Sequence, residues 1–233
     1  MAAPIRTSDL IDEKKMISNI RRSWGLFYRN GSVVEIRIFL REAVRSNLWT
    51  GYGTTLSGYF DDVNAVTNLV VAIEKSVGPQ ATYITLNPVD KRLASRSYNR
   101  FTAAKRGEGA SDKDVSRRAW LMIDFDPIRP EGIAATEAEV QESLERAELV
   151  HGELTVRGWP EPVFCFSGNG YHLDYCLDAG NTDLMRDLLR ETLLGLQLQF
   201  SDKAKKTDLG STIAEGQIGV KIDAGVFNAA RIT

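Results

Sequence analysis

Asp124 and Asp126 stand two residues apart at the end of an apolar run that begins at Ala119, with Phe125 between them. On a strand, residues two apart point to the same face, so the two carboxylates share one side and Phe125 takes the other. Acids gathered on one patch repel each other unless a cation sits between them. Hard divalent ions such as Mg²⁺ and Mn²⁺ suit oxygen donors of this kind and also take phosphate oxygens. A lone Asp-x-Asp can equally mark a solvated strand end or a helix cap, but here it follows an apolar strand. A second constellation is Ser167-Gly168-Asn169-Gly170-Tyr171-His172. Gly and Asn tolerate positive φ, so Gly168, Asn169 and Gly170 read as a tight hairpin. A hydroxyl and an imidazole bracketing such a turn, together with its backbone amides, can hold a triphosphate. With Asp223 as a third acid, two ions about 4 Å apart could activate a 3′-hydroxyl and stabilise departing pyrophosphate in an in-line displacement.

The elements that would position these residues can be read from hydrophobic periodicity. Ala119 to Phe125 is a strand. Thr136 to Arg157 is a helix, with Thr136 and Glu139 in capping-box spacing. Pro162 to Phe166 and Tyr171 to Leu177 are strands flanking the turn, Thr182 to Phe200 is a leucine-rich helix, and a last strand falls within Ile218 to Phe227. The order β-α-β-β-α-β predicts the split βαβ arrangement of ferredoxin-like and RNA-recognition folds. In that topology the end of the first strand meets the starts of the third and fourth. Asp124 and Asp126 would then meet His172, and Asp223 near the start of strand four. The N-terminal half mixes elements: a helix over Ser8 to Ser23, an alternating strand over Val33 to Leu40, a helix over Asp61 to Ser76, a short strand over Ala81 to Leu86, and a mobile loop from Arg100 to Asp114. The expectation is an α/β (α+β) protein with an N-terminal α/β module over 1–115 and an RNA-recognition-like module over 116–233, together one catalytic domain.

Composition narrows the function classes. The chain has 233 residues, 43% apolar and 26% charged, as an ordinary globular protein does. It lacks an apolar run long enough to span a bilayer, and Met1 to Lys15 lacks the core of a secretory signal, which predicts a cytoplasmic protein without a membrane. Cys165 and Cys176 form no CxxC pair and read as two reduced core thiols, so no zinc is expected. The net charge of −2 does not announce a polyanion binder. From Pro88 to Arg118, however, nine cations face four acids, a local excess of five positive charges.

The segments Trp120-Leu121-Met122-Ile123-Asp124-Phe125-Asp126-Pro127, Ser167-Gly168-Asn169-Gly170-Tyr171-His172-Leu173, and Asp223 followed by Val226-Phe227-Asn228-Ala229-Ala230-Arg231-Ile232 resemble the archaeo-eukaryotic primase superfamily. The flavour is that of the primase-polymerase domains of phage, plasmid and mobile-element replication proteins. Gly58-Tyr59-Phe60-Asp61, Thr85-Leu86-Asn87-Pro88-Val89 and Arg96 to Arg100 share it. The resemblance implies that Asp124, Asp126 and Asp223 bind Mg²⁺ or Mn²⁺ as catalytic acids. Ser167 and His172 would contact the phosphates of an incoming NTP or dNTP, with Gly168, Asn169 and Gly170 permitting close approach. Arg231 would stand near the triphosphate or template, and Asn87, Arg96 and Arg100 would contact nucleotide or template. The partners implied are a DNA template, a primer and a fused or associated helicase. Members of this subgroup continue past the Arg-Ile segment, so a piece of a longer protein is expected. A nucleotide-sugar glycosyltransferase would use the Asp-x-Asp but leave Asp223 and the Ser-to-His turn without roles. A non-catalytic RNA-recognition module would have acids where phosphates must lie.

Overall fold

The computed structural model describes residues 13–105, 107–130, 132–203, 205–207, 210–212 and 218–233. The chain divides into two compact units, Met1–Arg117 with Ile232–Thr233, and Arg118–Arg231. The C-terminal dipeptide thus groups with the first unit instead of the second. Ile232 bridges Thr85, and Thr233 and Ile84 exchange backbone hydrogen bonds of 3.0 and 2.9 Å.

In the first unit, helix α1 (Glu13–Phe27) is followed by strands β1 (Val34–Phe39), β2 (Trp49–Thr50) and β3 (Thr55–Phe60). Helix α2 (Val63–Val77), strand β4 (Ala81–Ile84) and strand β5 (Phe101–Ala103) complete it. The predicted start of the first helix at Ser8 lies outside the described residues, and its end extends to Phe27 because Trp24 also packs on the core. Asp62 caps α2 by accepting from Asn64 N at 2.8 Å, and Gly78 ends it in the left-handed region at φ 54°. The sheet order is β2-β5-β3-β1-β4.

Strand β1 sits inside this sheet, and its alternating Val34, Ile36 and Ile38 are buried as the periodicity requires. Glu35, expected on a solvent-facing side, is buried too, which makes β1 a two-sided core strand. Its carboxylate is fully engaged. Oε1 accepts from Ser57 Oγ at 2.6 Å, and Oε2 accepts from Arg37 Nη2 and Ala110 N, both at 2.7 Å.

The stretch expected as a mobile loop from Arg100 to Asp114 carries β5 and a 3₁₀ turn, Asp112–Asp114. Phe101 fixes it: its ring is buried 4.9 Å from that of Phe60. Strand β3 escaped the sequence reading. It needs a glycine at position 58, where a Cβ would meet Arg100 O at 2.4 Å.

The second unit opens with strand β6 (Arg118–Pro127), then helix α3 (Glu137–Val156), strands β7 (Val163–Phe166) and β8 (Tyr171–Ala179), and helix α4 (Asp183–Phe200). Short strands β9 (Lys205–Thr207) and β10 (Gly210–Thr212) pair with each other, and β11 (Val220–Ile222) leads into a 3₁₀ helix, Ala224–Phe227. The sheet order is β11-β6-β8-β7 with every neighbour antiparallel. The capping box forms as expected, Thr136 Oγ1 accepting from Glu139 N at 3.3 Å and Glu139 Oε2 from Thr136 N at 2.7 Å. Leu121, Ile123 and Phe125 of β6, with Leu173 and Tyr175 of β8, make the apolar face. Helices α3 (Ala147, Val150, Leu154) and α4 (Leu189, Leu193, Leu196) bury their stripes there. The residues between them in sequence, Asp124, Asp126, His172 and Asp174, belong to the opposite face.

Glu35→Ala strips the acceptor from a buried hydroxyl, a guanidinium and a backbone N–H at once. It is expected to lower unfolding stability by about 3 kcal/mol or more. Urea denaturation measures it, and a loss under about 1 kcal/mol would show that Glu35 anchors nothing.

Candidate metal centre

Cross-strand register brings the acids together. On β6, Asp124 lies opposite His172 of β8, and Asp126 lies opposite Lys221 of β11. Strand β11 pairs for only three residues, and Asp223 follows its end, donating its backbone N–H to Asp124 O at 3.0 Å. The last strand falls within the expected range of Ile218 to Phe227, at Val220–Ile222, but Asp223, expected near its start, comes just after its end. Carboxylate oxygens of Asp124, Asp126 and Asp223 all lie within 4.8 Å of one another. Oδ1 of Asp223 also accepts from Gly225 N at 2.8 Å, which caps the 3₁₀ turn and fixes the side chain.

Two unit charges at this separation repel by about 3–4 kcal/mol at an effective dielectric of about 20. Two cations offset part of that. Arg231 Nη2 stands 3.6 Å from Asp124 Oδ2, and Lys221 Nζ stands 3.9 Å from Asp126 Oδ2. Burial and the Asp126 charge nonetheless push the Asp124 carboxyl up to about 6, against the opposing pull of His172 and Arg231. Three oxygen donors with one member resisting ionisation form a donor set that suits a hard divalent cation. Lys221 was not singled out from the sequence. The alternation of β11, with Lys221 exposed between buried Val220 and Ile222, was the available signal.

The turn residues close a loop among themselves. Ser167 Oγ donates to Gly170 O at 3.0 Å and accepts from Gly170 N at 3.2 Å and Asn169 N at 3.5 Å. The hydroxyl and two of the turn's amides are thus spent closing the loop. Gly168 adopts φ 95°, and Asn169 Oδ1 accepts from Ala135 N at 3.0 Å. Gly170 is required by close approach, since a Cβ would meet Phe125 O at 2.5 Å. The consequence is positional: the turn pins the start of β8 and so places His172 beside Asp124.

His172 is buried, and its Nε2 lies 3.3 Å from Asp174 Oδ2. Cys165 of β7 is opposite His172. Burial and the charge of Asp174 push its thiol up to about 12. Sulfur, ring nitrogen and carboxylate oxygen of Cys165, His172 and Asp174 form a second group within 4.8 Å. The sequence reading treated both cysteines as core thiols. Cys176 is in fact exposed, and Cys165 is half-buried beside two ligand-type side chains.

Asn87, Arg96 and Arg100 belong to the first unit. Asn87 is buried and Arg100 exposed. Arg96 lines a cavity of about 430 Å³ with Ser57, Tyr59, Thr102 and Glu108, its Nη1 donating to Glu108 O at 3.2 Å. The basic stretch is partly self-neutralised, as Arg92 folds back on Asp90 at 2.5 Å.

No protein-family model matches this chain, and no curated protein matches it. Among the described residues, no helix is long and apolar enough to cross a membrane.

The raised Asp124 carboxyl sets a pH signature. Below about pH 4 it is protonated in folded and unfolded chains alike and has no effect on stability. Between about pH 4 and 6 the unfolded chain has released this proton while the metal-free folded protein still holds it, so stability falls across that window and the loss is complete above about 6. Asp124→Asn is therefore expected to stabilise the metal-free protein by about 2 kcal/mol at pH 8, with the gain fading below pH 4. Denaturation in a chelator at both pH values checks this, and equal stability of variant and parent at pH 8 would contradict it.

Proposed function

We propose that the chain is a metal-dependent nucleotidyl transferase of the primase-polymerase kind, extending a 3′-hydroxyl on a DNA template from NTPs or dNTPs. The observation that carries the reading is that Asp223, nearly a hundred residues beyond Asp124 and Asp126 in sequence, converges with them so that their carboxylate oxygens lie within 4.8 Å of one another. An acid patch whose members repel is poor structural material unless it takes a cation. The strand order β11-β6-β8-β7 supports the RNA-recognition-like core that the resemblance implies. That likeness, the cytoplasmic location and the DNA and helicase partners belong to this reading.

Asp124, Asp126 and Asp223 would hold Mg²⁺ or Mn²⁺, and the bound ions would supply charge neutralisation for an in-line displacement at a phosphoryl group. Arg231, 3.6 Å from Asp124, is placed to meet the negative charge of a triphosphate brought to the same patch. His172 offers a ring N–H to a phosphate oxygen from the neighbouring register position. Ser167, Gly168, Asn169 and Gly170 serve by positioning His172. On the first unit, the exposed Arg96, through the cavity it lines, and Arg100 are the contacts for template or nucleotide, while the buried Asn87 stays in the interior.

Asp124→Ala combined with Asp126→Ala is expected to reduce extension of a primed template to background with either metal while circular dichroism remains that of the parent. Parental extension by the double variant would refute the mechanism. Protection against unfolding by a sugar nucleotide with Mn²⁺, but not by dNTPs, would favour the glycosyltransferase alternative.

A further inference from the structure

Cys165, His172 and Asp174 form a cluster unlike the acid patch. Cys165 and His172 are register partners across β7 and β8, and Asp174 stands two residues beyond His172, on the same face. Asp174 is completely buried, and neither of its carboxylate oxygens has a hydrogen-bond partner. Its polar neighbours are the His172 imidazole, with Nε2 at 3.3 Å, and the Cys165 thiol, which interacts with the same carboxylate. Buried carboxylates are ordinarily paired, hydrogen-bonded or bound to a metal, and two unsatisfied oxygens in one side chain are costly. A carboxylate this deeply buried, with a ring nitrogen and a thiol as its polar neighbours, has the surroundings of a ligand to a cation.

We propose that Cys165 Sγ, His172 Nε2 and an Asp174 oxygen bind a zinc-class divalent cation. The donor set decides the class of ion. Thiolate and imidazole favour Zn²⁺ or Co²⁺, whereas the all-oxygen patch favours Mg²⁺ or Mn²⁺. Bond lengths of about 2.0–2.3 Å put tetrahedral ligand atoms about 3.3–3.6 Å apart, so atoms within 4.8 Å need only small side-chain rotations to close on an ion. Half-buried Cys165 provides the way in. Three protein ligands leave the fourth tetrahedral position for water or a substrate oxygen. A cation on Nε2 also fixes the imidazole tautomer, leaving the proton on Nδ1. Under the nucleotidyl-transfer reading, that N–H is the donor to phosphate. Only this consequence rests on that reading, and the ion site stands without it.

The test uses the full chain in a non-chelating reductant, dialysed against Co²⁺ or Zn²⁺, with metal content and absorption as readouts and no activity assay. One Co²⁺ per chain is expected, with a thiolate-to-cobalt charge-transfer band and intense tetrahedral d–d bands. Cys165→Ser should abolish the charge-transfer band and weaken Zn²⁺ binding by more than about 100-fold, beyond what an outer-shell partner accounts for. Asp174→Asn should keep the band but weaken binding by at least about 10-fold. Asp124→Asn with Asp126→Asn should keep both band and affinity. Folded wild-type protein that retains no Zn²⁺, cobalt bound without a thiolate band, a band surviving in Cys165→Ser, or unchanged affinity in Asp174→Asn would each overturn the proposal.

Discussion

The register of β6 against its two neighbours decides whether this protein has a centre at all. Side chains alternate along a strand, so slipping β6 by one residue would send Asp124 and Asp126 into the apolar layer under α3 and α4 and turn Phe125 outward. That slip is opposed on three sides. Gly170 accepts the approach of Phe125 O, Ser143 Oγ donates to the same carbonyl at 2.8 Å while accepting from Tyr171 N at 2.8 Å, and Asp223 N–H holds Asp124 O. A buried serine on a helix thus clamps two strands in the register that gathers the acids.

What holds the strands in place also holds the charges together against their repulsion. Arg231 and Lys221 screen the patch from two sides without neutralising it, which leaves net negative charge for an added cation. The same face carries His172, Asp174 and Cys165, so two groups with different donor chemistry share one sheet. The donors differ, oxygen alone in one group and sulfur, nitrogen and oxygen in the other, and the second is the more buried.

Much of the acid cluster was legible in the sequence. The spacing of Asp124 and Asp126 on an apolar strand and the capping box at Thr136 rest on local periodicity and stand where the residues placed them, whereas the expected β-α-β-β-α-β order is interrupted by the β9–β10 pair between α4 and β11. Features that depend on pairing across long sequence distances were not legible. Glu35 reads as the polar half of an alternating strand, and only Ser57, Arg37 and Ala110 arriving from elsewhere allow it to be buried. Phe101 sits in a polar stretch that reads as loop, yet one buried ring is enough to fix a strand. The hydrogen bonds that Ser167 makes within its turn, to Gly170 and Asn169, were likewise not legible, since the sequence reading gave its hydroxyl to a phosphate. Cys165 carries no sequence signal of its own, since its neighbours His172 and Asp174 lie on another strand.

The central claim is that three aspartates share bound cations, with Asp223 an equal member although it comes from a different strand. The most direct measurement is a Mn²⁺ titration followed by electron paramagnetic resonance of the free ion, comparing parent, Asp126→Asn and Asp223→Asn. Both variants are expected to weaken Mn²⁺ binding by at least about 10-fold, which corresponds to about 1.4 kcal/mol. Parental affinity in Asp223→Asn would contradict a shared centre and leave Asp223 only its role as a cap.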